Sequence, residues 1–134
     1  MNWLGTSKQL GFSVSICLSS VLAFATGCRE ADFGRVSGKV TLDGQPLEFC
    51  TVEFQPEGGS PAYGVTDEQG NYVLQFTNDQ IGALVGKNVV RITSFRESKP
   101  RERERVPTKY NRQSELVRDV GPGNQTLNFD LVSK

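Results

Sequence analysis

From Gly34 to the carboxyl end, apolar residues recur at alternate positions in short runs, each closed by Gly, Pro, Asn or Asp. That period of two predicts strands rather than helices. Val36, Val40 and Leu42 share one face of a first strand, which ends at an Asp43-Gly44 turn. Phe49 to Gln55 forms a second strand, with Cys50, Val52 and Phe54 on one face and Pro56 and Gly58-Gly59 closing it. Ala62–Thr66 and Tyr72–Phe76 predict a hairpin across Asp67 to Asn71, and Asn78 to Leu84 reads as a connection with one helical turn. Asn88 to Phe95 places Val90 and Ile92 inward. Glu115–Val120 and Thr126–Val132 complete the set, separated by Gly121-Pro122-Gly123-Asn124. The expected fold is all-β, a seven-stranded antiparallel sandwich of immunoglobulin-like size over residues 34–132. Its predicted core is Val40, Cys50, Val52, Phe54, Tyr72, Leu74, Ile92, Phe129 and Leu131.

The first 27 residues follow another rule. They carry one charged side chain, Lys8, and then an apolar run from Leu10 to Ala25 that is interrupted by serines. As a helix this run rises about 24 Å, short of the ~30 Å hydrocarbon core, so it fits a secretory signal better than a membrane span. Two cleavage sites fit. Ala23-Phe24-Ala25 suits ordinary signal peptidase and would release a protein beginning at Thr26. Ala25-Thr26-Gly27-Cys28 resembles the lipobox of bacterial lipoproteins. That resemblance implies cleavage between Gly27 and Cys28, with diacylglycerol on the Cys28 sulfur. Residues 1–27 would then be the signal and 28–33 a short tether. Arg29 after the cysteine favours the outer membrane over inner-membrane retention, on the periplasmic or surface face.

Composition narrows the chemistry. The chain has 15 basic and 15 acidic residues and no histidine. Imidazole metal sites, Ser-His-Asp triads and Cys-His pairs are excluded. A zero net charge argues against nucleic-acid binding, which needs a surplus of Lys and Arg. Of three cysteines, Cys17 lies in the signal and Cys28 is the lipid acceptor, so Cys50 alone cannot build a disulfide framework. It reads as a small core residue. No cofactor or metal is expected.

Longer motifs point to a family. Val36-Ser37-Gly38-Lys39-Val40-Thr41-Leu42-Asp43-Gly44-Gln45-Pro46-Leu47 resembles the opening of carboxypeptidase regulatory-like domains. Thr66-Asp67-Glu68-Gln69-Gly70-Asn71-Tyr72 is similar to their Thr-Asp-x-x-Gly-x-Tyr element, and Gly86-Lys87 to their entry into the next strand. Pro107-Thr108-Lys109-Tyr110-Asn111 resembles an element of small planctomycete-type lipoproteins bearing this domain. The resemblance implies a transthyretin-like sandwich, non-catalytic in most settings. It excludes 5-hydroxyisourate hydrolase and intradiol dioxygenase chemistry, since both need histidine.

Several residues invite a chemical reading. Asp67, Glu68 and Asn71 could suggest calcium, but five loop residues do not make a twelve-residue EF-hand loop, and a capped turn explains them. Lys39 with Asn124 or Asn128 raises an isopeptide bond, for which Glu115 is the available acid. Arg101, Arg103 and Arg105 alternate with Glu102 and Glu104. Extended, they would form a cationic comb for a phosphate or sulfated sugar; otherwise they form a solvated, self-neutralising loop. Tyr110 either packs on the sandwich with its hydroxyl on backbone or stacks against a sugar. Glu53, Glu57 and Asp67 are the acids a hydrolase would need. The expected role is that of a non-enzymatic, lipid-anchored envelope protein, structural or interacting with other envelope proteins. The other reading is a carbohydrate-binding module using Tyr63 or Tyr110 on glycans.

Overall fold

A computed structural model describes residues 32–134 and the isolated Gly5. Apart from Gly5, the expected signal at 1–27, the expected cleavage and lipid site at Gly27 and Cys28, and residues 28–31 of the expected tether lie outside the described residues.

The first sheet is built around β1 (Phe33–Leu42). It pairs antiparallel with β2 (Gln45–Pro46), β5 (Asn71–Val73) and β8 (Ala83–Leu84). It also pairs parallel with β11 (Gly123–Thr126) and then β12 (Phe129–Leu131). The second sheet is antiparallel throughout, in the order β10 (Val117–Val120), β9 (Gly86–Thr93), β3 (Thr51–Pro56), β4 (Ala62–Val65), β6 (Gln75–Thr77), β7 (Gln80–Ile81). The sandwich is therefore as the alternation implied, but the strand count and two pairings differ. The seven short strands expected become twelve among the described residues, and the first sheet is mixed.

Three local expectations need correction. Ala62–Thr66 and Tyr72–Phe76 do not form a continuous hairpin and pair only at Tyr63 and Gln75. β4 lies in the second sheet, β5 pairs with β1 in the first, and Leu74 carries the chain across before Gln75 pairs with Tyr63. Asn78 to Leu84 contains no helical turn; it holds the two-residue strands β7 and β8. Gly123-Asn124 is no mere turn but the start of β11, paired with Gly34 and Arg35. The one helical element among the described residues is a 3-10 turn at Thr108–Tyr110.

All nine predicted core residues are buried, joined by Val36, Leu47, Ala62, Ala83, Val90, Val106 and Val120. Each large aliphatic or aromatic side chain so removed from water stabilises the fold by about 1.5–3 kcal/mol. Phe129 meets Phe54 edge-on at 6.1 Å between centroids and Tyr72 at 6.3 Å, linking the layers. The Tyr72 hydroxyl donates to the Leu127 carbonyl at 2.6 Å, so the ring is buried without an orphaned polar atom. Burial raises the Tyr72 pKa. Gly38 is required here, because a Cβ would lie 1.9 Å from the Leu127 carbonyl oxygen. At the Asp43-Gly44 turn both residues have positive φ, 50° and 80°, as a two-residue hairpin with the strands' twist demands.

Candidate functional site

β9 connects the two ends of the sandwich. Its start lies beside the point where the chain enters, since the Val85 amide donates to the Asp32 carbonyl at 2.9 Å. Eight residues later, about 26 Å along a strand, it releases the polar segment 94–106 at the opposite end. There the segment faces the 47–50 turn that leads into β3, and the two enclose a recess of about 640 Å³. Glu48, Phe49, Arg96, Lys99, Glu102, Arg103 and Arg105 line it.

Both walls are fixed from beneath. On one side, the buried Thr66 makes four bonds to residues 47–50. Its hydroxyl donates to the Leu47 carbonyl at 2.6 Å and accepts from the Cys50 amide at 2.8 Å. Its amide donates to the Cys50 carbonyl, and its carbonyl accepts from the Phe49 amide. The result is a turn that holds Phe49 at φ +52°, a conformation costing a bulky L-residue about 1–2 kcal/mol. Phe49 was expected to open the second strand, but β3 begins at Thr51 and the ring projects into the recess wall, 37% exposed.

On the other side, Glu104 closes the base of the loop. Its carboxylate accepts from the Ser94 amide and hydroxyl at 2.8 and 2.6 Å, the Phe95 amide at 3.1 Å and the Val106 amide at 2.9 Å. The Thr93 hydroxyl donates to it as well. Partial burial works against the charge, but the Ser94 and Thr93 hydroxyls and the Ser94 and Val106 amides outweigh it, holding the carboxyl at about 2. The Arg105 amide donates to the Ser94 hydroxyl at 2.7 Å.

The loop is therefore not a comb. Its backbone bends rather than extends, with Lys99 and Glu102 amides returning to the Arg96 and Lys99 carbonyls. Arg101 is exposed and does not line the recess, whereas Arg103 and Arg105 do. Arg96 and Lys99, in the same polar stretch, join them. Glu102 pairs with Lys99 at 3.2 Å and more distantly with Arg96 at 3.9 Å. The Arg96 guanidinium also lies 5.1 Å from the Phe49 ring centroid. Among the described residues Arg103 and Arg105 form no ion pair; Arg105 donates to the Glu48 carbonyl at 2.8 Å. Four cations against Glu48 and Glu102 leave the recess positive.

Other candidates go elsewhere. Tyr110 packs against the core cluster and its hydroxyl accepts from the Val132 amide at 3.2 Å, outside the recess. Tyr63 is exposed on β4. Lys39 and Glu115 are both exposed, and Asn128 accepts from the Lys39 amide rather than meeting its amine. Asp67 caps its own turn, accepting from the Gln69 and Asn71 amides at 2.9 and 2.8 Å. Glu53 pairs with Arg91 at 3.1 Å across the sheet, where a second open pocket of about 620 Å³ lies. Glu57 follows β3 at the chain-entry end, while Asp67 stands at the other, so the three acids do not face one cleft. Cys50 is fully buried, and burial pushes its thiol up to about 11 despite Arg105 nearby. No group of three or more metal-ligating side chains occurs among the described residues.

Phe49 was legible as an anomaly. If Cys50, Val52 and Phe54 face inward, the preceding aromatic must face out, and an outward aromatic at a strand's head is a surface feature. Glu104 and Thr66 gave no such signal.

No family model matches the chain, and no curated protein matches it. Among solved structures, it is similar to a DUF3823 family protein from Parabacteroides merdae ATCC 43184, at 14% identity and a TM-score of 0.47. The match covers 75% of this chain and 46% of that one, so this chain spans less than half of its neighbour's length.

Proposed function

We propose that this chain is a non-enzymatic binding protein held on the bacterial cell envelope by a lipid on Cys28. The observation that carries the binding role is the cationic recess, set at the end of the sandwich opposite the chain's entry at Asp32. From Cys28 to Phe33 the chain can reach at most about 17 Å. A lipid on Cys28 would thus keep the entry end against the membrane and point the recess away from it. The apolar run Leu10–Ala25 and the Gly27-Cys28 junction support export and lipidation. Two or three acyl chains, at about 0.8 kcal/mol per buried CH2, make such attachment durable. Arg29 favours the outer membrane as the site. The resemblance to carboxypeptidase regulatory-like domains supports a non-catalytic role. So does the engagement of Glu53, Asp67 and Glu104 in structural bonds.

The test is the state of Cys28 in protein isolated from membranes. The amino-terminal peptide should carry diacylglycerol mass, and the protein should partition into detergent. Cys28→Ser should move it to the aqueous phase with its circular dichroism unchanged. Wild-type protein that begins at Thr26 with an unmodified Cys28 would remove the anchor from this reading.

A further inference from the structure

We infer that the recess formed by Phe49, Arg96, Lys99, Arg103 and Arg105 binds a saccharide carrying a phosphate or sulfate ester. The inference rests on the non-enzymatic binding role above and is independent of the lipid anchor.

Charge comes first. Arg103 and Arg105 reach the recess without a carboxylate partner among the described residues, and Glu102 offsets part of Arg96 and Lys99. A self-neutralising loop would pair each arginine with a neighbouring glutamate. Here Glu104, which could serve Arg103 or Arg105, is turned away from the recess and its acceptor capacity is spent on Thr93, Ser94, Phe95 and Val106. Guanidinium forks freed in this way match the oxygens of a tetrahedral anion. The Arg96 Nε is buried and has no acceptor among the described residues.

Preorganisation comes second. Thr66 holds the Phe49 turn and Glu104 holds the cationic loop, so both walls stand before any ligand arrives. The positive φ of Phe49 is a strain that the 47–50 turn retains while leaving the ring partly in water.

Shape and polarity choose the ligand. A free anion would use little of about 640 Å³ and nothing of Phe49. An aromatic edge beside guanidiniums suits a molecule with an apolar C–H face next to an anionic substituent, which is a sugar ring with an ester. The recess is made of turn and loop and offers no strand edge, so an acidic peptide would find no main-chain partners there. An anionic headgroup of the anchoring membrane would lie at the far end of the domain.

The full chain in detergent should be titrated calorimetrically with a sulfated oligosaccharide, a phosphorylated one, their neutral parent, inorganic phosphate, a polyglutamate peptide and anionic phospholipid vesicles. Binding of either ester about tenfold or more tighter than the neutral parent, weakening as salt rises, supports the inference. Arg103→Glu should lower that affinity about tenfold or more with the fold intact, since the exposed Arg103 side chain makes no hydrogen bond or ion pair among the described residues. Phe49→Asn, which suits positive φ, should also weaken the ester while leaving thermal unfolding nearly unchanged. Equal binding of the neutral parent, of phosphate alone, of polyglutamate or of vesicles overturns it, as does no binding at millimolar ester. Cleavage of the ester during titration would instead defeat the non-enzymatic reading, and Cys28→Ser, which removes the anchor, should leave the affinity unchanged.

Discussion

The Thr66 hydroxyl lies between the Leu47 carbonyl and the Cys50 amide, donating to one at 2.6 Å and accepting from the other at 2.8 Å. Cys50 lies sixteen positions before Thr66, yet this one side chain satisfies a buried polar group at each end of the 47–50 turn. Thr66→Val keeps the shape and removes the hydroxyl, leaving a buried donor and a buried acceptor unpaired. The variant should lose about 2–4 kcal/mol in urea unfolding, and Thr66→Ser should recover most of it. If both variants unfold at the wild-type midpoint, the turn is held by other contacts.

Glu104 sets an acid limit on the loop. Its carboxyl is held at about 2 in the folded protein, against the ordinary value of 4.5. A depressed pKa gives stability that is fully present above pH 4.5 and is lost as pH falls toward 2. Glu104→Gln should therefore flatten the pH dependence of unfolding in that window and leave it unchanged near neutrality. The same variant should quicken amide exchange at Phe95 and Val106, whose N–H groups donate to the carboxylate.

Gly38 leaves no room for a side chain in the first sheet. A Cβ at 1.9 Å from the Leu127 carbonyl oxygen meets rigid main chain rather than a movable side chain. Gly38→Ala should cost about 3 kcal/mol or more, far beyond the usual effect of one methyl group, and lower the yield of folded protein. Gly121→Ala, where a Cβ meets open space, serves as the control.

Cys50 should be inert. Its thiol is fully buried and shifted up to about 11, so a bulky thiol reagent should label native protein only at the rate of unfolding. Cys50→Ala should cost about 1 kcal/mol through a small cavity. Rapid labelling without denaturant would place the Sγ atom outside the core.

Alternation specified which residues turn inward, and it did so for every predicted core position, because one face of each sheet meets the same interior. It could not specify which sheet a strand joins. Tyr72, Leu74 and Phe76 alternate identically whether the segment stays in one sheet or crosses at Leu74, so the crossing was hidden. Gly123 to Thr126 has the composition of a turn and becomes strand only through its parallel partner β1. The recess was half legible for a similar reason. The run from Arg101 to Arg105 announces charge, but the turning of Glu104 away from the recess, which leaves Arg103 and Arg105 without an ion pair among the described residues, depends on amides brought from Ser94 and Val106 by the fold.

The pairing of β1 with β12 governs when this domain can exist. Thr41 in the first strand bonds Asp130 in the last, 89 residues away, and Val40, Thr41 and Leu42 lie in register with Phe129, Asp130 and Leu131. Contacts of that sequence separation form late, because the intervening loop must close before they return any stabilisation. A chain delivered amino end first therefore carries β1 with its parallel edge unpaired until Gly123 to Leu131 have emerged. The sandwich cannot close until the chain has been delivered as far as Leu131, whichever strands are ready before it.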